Sequence, residues 1–241
     1  MVLVATRNPL NLGAAARAMS NFGFLKLRVV NPYDVAFREA RSAVGAERLL
    51  AAAMEFDTVA DAVADCSLVV GTTALRHREL QHPLRRLEEG TRLIRRRMQS
   101  QRVALLFGSE KVGLSNEALS HCHWLMRIPT REEHGSMNLG QAVAVCLYEL
   151  VRDSRFQAKS RGQAASAQEL ERLTGLLVEA LAASGYLKPQ PVPAAVEKVR
   201  RMVRRLNLEV ADAEVWLGMI RQMLWKLKLS DDPQDPPAKR S

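Results

Sequence analysis

The sequence predicts an α/β protein whose mostly parallel sheet is covered by helices on both faces. Short apolar runs rich in branched residues recur along the first half of the chain, and helical patterns lie between them. Strands that read as continuous apolar runs are buried on both faces, and their alternation with helices is typical of parallel strands joined by crossovers. A purely helical pattern follows near the C-terminus, which predicts a small all-helical domain beside the sheet.

The elements of the sheet domain follow in a regular order. The first apolar run, at 2–5, is too short for the core of a signal peptide and lacks a basic segment before it, so we predict a buried first strand. The remaining predicted strands lie at 27–30, 68–71, 103–107 and 125–128. Predicted helices lie at 12–22, 46–54 and 59–64, around 93–98, and at 139–151, where a long apolar helix closes the domain.

The organisation beyond this domain follows from composition. Residues 156–168 are polar and without periodicity, so we predict a linker between a sheet domain at 1–155 and a helical extension at 169–229. Within the extension, helical patterns cover 170–181, 194–206 and 213–227. The final residues, 230–241, are rich in Asp and Pro and are predicted to be disordered.

Composition is that of an ordinary globular chain. Of its 241 residues, 47% are hydrophobic and 25% are charged, and no apolar run approaches the ~20 residues of a membrane span. We therefore expect a cytoplasmic protein without a membrane segment. The three cysteines are scattered in apolar surroundings, which is typical of reduced core thiols. His121-Cys122-His123 lacks a second ligand pair at zinc spacing, so no metal site is predicted.

The charge distribution favours a polyanionic partner. The formal net charge is +9, and the seven arginines between residues 85 and 102 are opposed there by Glu88 and Glu89. A second basic cluster in the helical extension comprises Lys198, Arg200, Arg201, Arg204 and Arg205. Each cluster alone is also typical of a solvated helix face, so charge by itself does not identify the partner.

A glycine-bracketed loop follows the strand predicted at 103–107. Gly108 ends that strand and Gly113 follows after four residues, which is the glycine spacing of a phosphate-binding P-loop. Leu114-Ser115 stands where a P-loop has Lys-Ser/Thr, so an NTPase is excluded, and the first strand is not followed by the glycine pattern of a dinucleotide site. We therefore predict a loop whose backbone approaches a flat ligand and presents Glu110. Asn116 is a suitable N-cap for a short helix after it.

Two other segments carry polar residues at the start of predicted helices. Ile128-Pro129 ends a strand, and Ser136-Met137-Asn138 precedes the long apolar helix, where either Ser136 or Asn138 is a suitable N-cap. The N-terminus of a helix also binds carboxylate or phosphate groups. Near the N-terminus, Asn11 and Gly13 begin a helix that carries Arg17 one turn later. An arginine within an Ala-rich stretch is either a surface residue or an anion-binding residue.

In this order and with these separations, the three segments resemble the signature motifs of the SpoU/TrmH branch of the SPOUT RNA methyltransferases. The resemblance implies a SPOUT fold with a C-terminal trefoil knot that binds S-adenosylmethionine in a bent form. It makes Arg17 the catalytic arginine, accompanied by the polar site groups Asn11, Glu110, Ser136 and Asn138. It assigns to the cofactor Thr72, Thr73, Ala74, Gly108, Ser109, Glu110, Gly113, Ile128, Ser136, Met137, Asn138 and Leu139. Met137 replaces the leucine that is more common in the family, a nearly volume-conserving change.

The helices of the extension resemble those of TrmJ-type tRNA methyltransferases. This implies a homodimer that methylates a cytidine or uridine ribose at the first nucleotide of the tRNA anticodon loop, with RNA contacts from Arg17, Arg200, Arg201, Arg204 and Arg205. The same helices are also suited to dimerisation without RNA contact. A ribosomal RNA 2′-O-methyltransferase is the alternative enzyme. A non-catalytic RNA-binding protein is a third hypothesis. The joint presence of the five polar site residues argues against it.

The expected mechanism follows from the residues of this site. Methyl transfer from a sulfonium to a ribose 2′-hydroxyl requires that the hydroxyl lose its proton, and a guanidinium does not act as a base in proteins. We therefore expect Arg17 to clamp the adjacent RNA phosphate and polarise the hydroxyl, while the phosphate or water accepts the proton. Ser136 and Asn138 are expected to orient the ribose, and no metal ion is required.

Overall fold

In the computed structural model of this chain, the described residues are 1–32, 45–74, 81–131, 133, 136–152 and 163–230. Their strands are β1 Val2–Val4, β2 Arg28–Val30, β3 Met54–Phe56, β4 Leu68–Thr72, β5 Leu84–Arg86, β6 Val103–Phe107 and β7 Trp124–Arg127. They form one sheet in the order β3-β2-β1-β6-β4-β7-β5, in which every neighbouring pair is parallel. The predicted α/β class with a parallel sheet is confirmed.

The five predicted strands are all present, and the one at 103–107 has the predicted bounds. The two strands that the sequence did not predict, β3 and β5, are the edges of the sheet. An edge strand is partly exposed, so it lacks the continuous apolar run that identifies a central strand. The first residue of β3, Met54, was included in the helix predicted at 46–54, which in fact ends at Ala51. In β5, the sequence Leu-Arg-Arg carries no strand signal.

Helices cover both faces of this sheet. At Gly140 two helices pack very close together, because a Cβ built there would lie 2.6 Å from the Ala14 Cβ atom. Ser115 caps the short helix after the glycine loop, so the expectation that Asn116 caps it is wrong by one residue. The helices are α1 Pro9–Asn21, α2 Glu47–Ala51, α3 Val59–Val63, α4 Leu87–Met98, α5 Asn116–Ser120 and α6 Leu139–Val151.

Three further helices form the tail of the described chain: α7 Ala167–Ala183, α8 Pro193–Arg205 and α9 Val210–Ser230. Ser166 and Glu169 form a capping box that starts α7 three residues earlier than predicted. The end of the predicted linker therefore belongs to this unit, and the Ala167 N–H donates to the Cys66 carbonyl at 2.6 Å. The rest of the predicted linker and residues 231–241 of the predicted disordered tail lie outside the described residues. The trefoil knot stays a prediction.

Several polar groups inside the sheet domain are paired with one another. Arg28 binds both carboxylate oxygens of Asp65 at 2.5 and 2.7 Å, and this contact holds the pKa of Asp65 well below its usual range. The His123 ring accepts a hydrogen bond from the Val69 N–H at 3.1 Å, and burial lowers the pKa of His123 to about 3, so it is neutral. His121 instead contacts Glu117 at 2.9 Å. Both histidines are therefore accounted for by structural contacts.

The cysteines are buried and unpaired, as the sequence predicts. Burial raises the pKa of Cys66 to about 11 and that of Cys122 and Cys146 to about 12. Over the described ranges, no group of three His, Cys, Asp or Glu side chains is arranged to hold a metal ion. A helix with the length and apolarity needed to cross a bilayer is likewise absent from the part of the chain that the structure describes.

Candidate functional site

The three predicted motif loops meet at one edge of the sheet. Because parallel strands point the same way, the first motif leaves β1 on the same side of the sheet as the loops that follow β6 and β7. The segments that leave β4, β6 and β7 are adjacent, with β4 between the other two. They enclose a cavity of about 300 Å³. Its lining comprises Thr72, Thr73, Ala74, Phe107, Gly108, Ser109, Glu110, Lys111, Val112, Gly113, Leu114, Leu119, Met126, Ile128, Thr130, Ser136, Met137, Leu139 and Ala142.

The loop after β6 folds back on itself in a way that requires its glycines. A Cβ at Gly108 would lie 2.1 Å from the Gly113 carbonyl carbon, closer than any real contact. Gly113 has a φ of +71°, in the left-handed region that glycine adopts without strain, and its N–H donates to the Ser109 carbonyl at 2.8 Å. The fold-back leaves Ser109 and Glu110 on the cavity wall. The prediction of a loop that presents Glu110 is therefore confirmed.

A chain of side-chain hydrogen bonds joins the three motifs. The Asn138 amide nitrogen donates to the Asn11 side-chain oxygen at 2.7 Å, and the Asn11 amide nitrogen donates to Glu110 Oε1 at 3.0 Å. The Asn138 side-chain oxygen accepts from the Gly140 N–H at 2.9 Å, which makes Asn138 the N-cap of α6. Each amide thus has a defined orientation, and the chain fixes the position of the Glu110 carboxylate.

The cavity combines an apolar wall with a polar rim. Leu114, Met126, Ile128 and Leu139 supply the apolar surface, while the described charged residues of the lining are Glu110 and Lys111. This combination suits a ligand with a flat ring system and charged or polar groups. The Thr72 hydroxyl donates to the Leu106 carbonyl at 2.9 Å, so it stabilises the strand ends at the cavity floor.

The structure brings together eleven of the twelve residues predicted to bind the cofactor. Asn138 is the exception, because its side chain caps α6 and binds Asn11, away from the lining. Asn11 likewise contacts Glu110 from outside the cavity. Arg17 is exposed on α1 and is not part of the lining. It makes no hydrogen bond or ion pair with any described residue, so its guanidinium is available to a phosphate.

Some lining residues were not predicted from the sequence. Lys111 and Val112 lie inside the glycine loop, and Leu114 directly follows it. The glycine spacing therefore indicated this part of the cavity, although these three residues were not named. Leu119 is different. It lies on α5 and reads as an ordinary core residue, and only the tertiary structure places it in the cavity wall.

The predicted RNA-binding cluster on α8 is corrected by the structure. Arg204 is fully buried and binds Glu171, while Arg200 binds Glu171 and the Ser120 hydroxyl. Arg201 pairs with Glu197, one turn before it on the same helix, and its side chain is only 12% exposed. Three of the four arginines therefore serve contacts within the protein, because acidic partners meet them after folding. Arg205 alone of the four lies at the surface.

Comparisons with known proteins agree with this geometry. Residues 1–148 match the model of the family described as SpoU rRNA Methylase. The chain is 35% identical to tRNA (cytidine/uridine-2′-O-)-methyltransferase TrmJ of Sodalis glossinidius, over 98% of this chain and 93% of that protein. It is 36% identical to TrmJ of Klebsiella pneumoniae, over 91% and 93%. The crystal structure of TrmJ from Z. mobilis ZM4 superposes with a TM-score of 0.80 at 33% identity, over 92% of this chain and 97% of that one.

Gly108→Ala is expected to abolish binding of S-adenosylmethionine, the ligand that the sequence predicts, because the added Cβ cannot fit against Gly113. Calorimetry measures the affinity, and circular dichroism checks that the sheet is folded. Gly218→Ala is the matched control. Its Cβ would meet no atom within 4 Å, and the change should stabilise α9 by about 0.5–1 kcal/mol without affecting the ligand. Normal affinity in folded Gly108→Ala protein would contradict the loop geometry.

Proposed function

This chain belongs to the SpoU rRNA methylase family, and from that premise we propose that it transfers a methyl group from S-adenosylmethionine to a ribose 2′-hydroxyl of tRNA. The single observation that carries the proposal is the hydrogen-bond chain through Asn11, Glu110 and Asn138, which joins all three motifs around one cavity. The family description names rRNA. The relatives that match the tail helices as well as the sheet domain are named as tRNA methyltransferases, which favours tRNA.

S-adenosylmethionine carries its reactive methyl group on a positively charged sulfur and supplies the electrophile. The fold-back loop at 108–113 offers backbone groups at close range, and Ile128, Met137 and Leu139 offer apolar surface for a ring system. Glu110 and Lys111 place one negative and one positive charge at the rim, where they suit a ligand that carries both an ammonium or sulfonium and a carboxylate group. Thr72, Thr73 and Ser136 complete the polar side of the cavity.

The residues of this chain divide the remaining chemistry between them. Arg17 binds the RNA phosphate next to the target ribose and polarises the 2′-hydroxyl, whose proton passes to phosphate or water. Ser136, in the cavity lining, orients the ribose. Asn138 has a structural part in addition to the one expected from the sequence, since its amide binds Asn11 and caps α6. These bonds position the loop and use one of the two donor hydrogens of the amide, which leaves the other for the ribose.

We further propose that the target is a cytidine or uridine at the first nucleotide of the anticodon loop, in cytoplasmic tRNA. The names of the relatives specify the two nucleosides. Residues 1–155 carry the catalytic unit, and the tail helices, which begin at the Ser166 cap, extend it.

Arg17→Ala is expected to leave the affinity for S-adenosylmethionine within about twofold and to lower turnover of tRNA by roughly 10²–10³-fold, because its partner is RNA phosphate and the interaction that is removed stabilises developing charge. Calorimetry measures the first quantity, and methyl incorporation into full-length tRNA measures the second. Arg48→Ala, at an exposed arginine on α2, is the control and should keep full activity. A variant at Arg17 with most of its turnover intact would falsify the mechanism.

The basic surface for tRNA lies on α4 in this proposal. Arg200, Arg201 and Arg204 make contacts within the protein. The other dense cluster of arginines lies on α4, the helix that follows edge strand β5. Arg92 and Arg96 are exposed on it, and Arg86, which pairs with Glu88 at 3.5 Å, lies exposed just before it. This helix starts at the same edge of the sheet as the cavity, since the end of β5 pairs with the end of β7. Arg205 adds a separate exposed positive charge on α8.

Combined Arg92→Glu and Arg96→Glu substitutions should weaken tRNA binding and reduce its salt dependence by about one unit of log–log slope for each phosphate that the variant no longer binds. Filter binding across a salt series gives both quantities. The control variant combines Lys26→Glu and Arg48→Glu, which makes the same change in net charge at the opposite edge of the sheet. Equal tRNA affinities for the two variants would show that α4 is only a solvated face.

We propose that the functional unit is a homodimer joined through the surface of α1 and α6. Leu10 and Tyr148 are 79% and 52% exposed on these helices, and the ring of Phe22 packs edge-on against Tyr148. The one charged residue of α6, Glu149, is buried and pairs with Arg152 at 2.8 Å. An apolar surface of this kind is typical of an interface between identical subunits.

Tyr148→Arg is expected to convert the dimer to a monomer, since it introduces a charge into the apolar surface. Light scattering measures the molar mass in solution. Tyr186→Arg makes the same change at a tyrosine that is 76% exposed in the tail unit, and this variant should remain dimeric. A folded Tyr148→Arg dimer would place the interface elsewhere.

A further inference from the structure

A partly buried ionic cluster lies among the tail helices, with Arg204 fully buried and Glu171 32% exposed. Its centre is the Glu171 carboxylate on α7, which accepts hydrogen bonds from Arg200 Nε at 3.1 Å and from Arg204 Nη2 at 3.2 Å. Arg204 also donates to the Ala167 carbonyl at 3.1 Å. Burial of the Arg204 guanidinium has a desolvation cost that its contact with Glu171 offsets, so the cluster is weak evidence for stability and points instead to a need for defined geometry.

The cluster extends across to α5 in the sheet domain. Arg200 Nη1 donates to the Ser120 hydroxyl at 2.9 Å, and that fully buried hydroxyl donates to the Glu117 carbonyl at 2.6 Å. The next residue, His121, binds the Glu117 carboxylate at 2.9 Å, while its Nδ1 lies 3.8 Å from Glu171 Oε2. The last turn of α5 is thus held from the side of the tail helices.

Helix α5 lies between this cluster and the cofactor cavity. It has only five residues, too few for a helix to be stable by itself, so its position depends on its contacts. It begins at the Ser115 cap, directly after the loop at 108–114 that lines the cavity. On the same helix, Leu119 is part of the lining and precedes Ser120, the residue that Arg200 binds. A shift of α5 therefore moves one wall of the cavity.

We propose that Arg200 is a positioning residue for the S-adenosylmethionine cavity. Its guanidinium fixes α5 against α7, and α5 in turn fixes Leu119 and the glycine loop. The inference rests on the proposed function for the identity of the ligand. Arginine is required because Nε and Nη2 bind Glu171 while Nη1 binds Ser120. The ammonium of a lysine does not present this planar fork.

Calorimetry and steady-state kinetics with the full chain test this role. Arg200→Met should raise the Kd and the KM for S-adenosylmethionine roughly tenfold, with kcat at saturating cofactor changed by less than about threefold, since the cavity wall is displaced and the RNA-binding groups are not. Arg200→Lys should not restore the affinity. Arg201→Met is the control on the same helix, because Arg201 pairs with Glu197 within α8, and its Kd should stay within about twofold.

Ser120→Ala provides a second, milder test, because it removes the acceptor on α5 while leaving Glu171 paired. It should raise the Kd roughly threefold, and its combination with Arg200→Met should bind no more weakly than Arg200→Met alone. Wild-type affinity in folded Arg200→Met protein overturns the inference. If Arg200→Met protein does not fold, wild-type affinity in Ser120→Ala protein overturns the inference instead. Failure of the unsubstituted protein to bind S-adenosylmethionine would instead overturn the proposed function.

Discussion

Two hydrogen bonds that meet at the Asn11 amide hold the functional site together, because they join segments 99 and 127 residues apart in the chain. An amide is suited to this position, since its nitrogen donates to a carboxylate while its oxygen accepts from a second amide. A carboxylate there would be an acceptor only and would repel Glu110. The parallel sheet brings the three loops to one edge, and the Asn11 amide fixes them relative to one another.

The backbone of the site is as constrained as its side chains. Gly108 and Gly113 allow the loop after β6 to fold back into van der Waals contact with itself, and Gly140 allows α6 to approach α1 at Ala14. This approach brings the cap of α6, Asn138, within reach of Asn11 on α1. Close helix packing and the hydrogen-bond chain therefore depend on each other, which explains why polar site residues and small residues occur together in the same motifs.

The tail helices are part of the structure of the catalytic unit as well as an extension of it. Their backbone bonds to the sheet domain at Cys66 and Ala64, and Ala167 is buried in the same apolar cluster as Leu114 and Leu119. Most of the arginines that make α8 basic in sequence are paired inside the protein, and one of them, Arg200, binds Ser120 in the sheet domain. A positive charge in the sequence thus contributes to RNA binding only where folding leaves it at the surface.

The sequence by itself determined the central strands, the bounds of α6 and eleven of the nineteen residues that line the cavity. These features have local signals, since buried strands are continuous apolar runs and the loops carry glycine and asparagine at fixed offsets. Tertiary structure alone decided the edge strands β3 and β5, the place of Leu119 in the cavity wall, and the burial of Arg204. Each of these depends on a neighbour far away in the chain. Glu171 lies 33 residues from Arg204, and no local pattern shows that a carboxylate will meet a guanidinium across two packed helices.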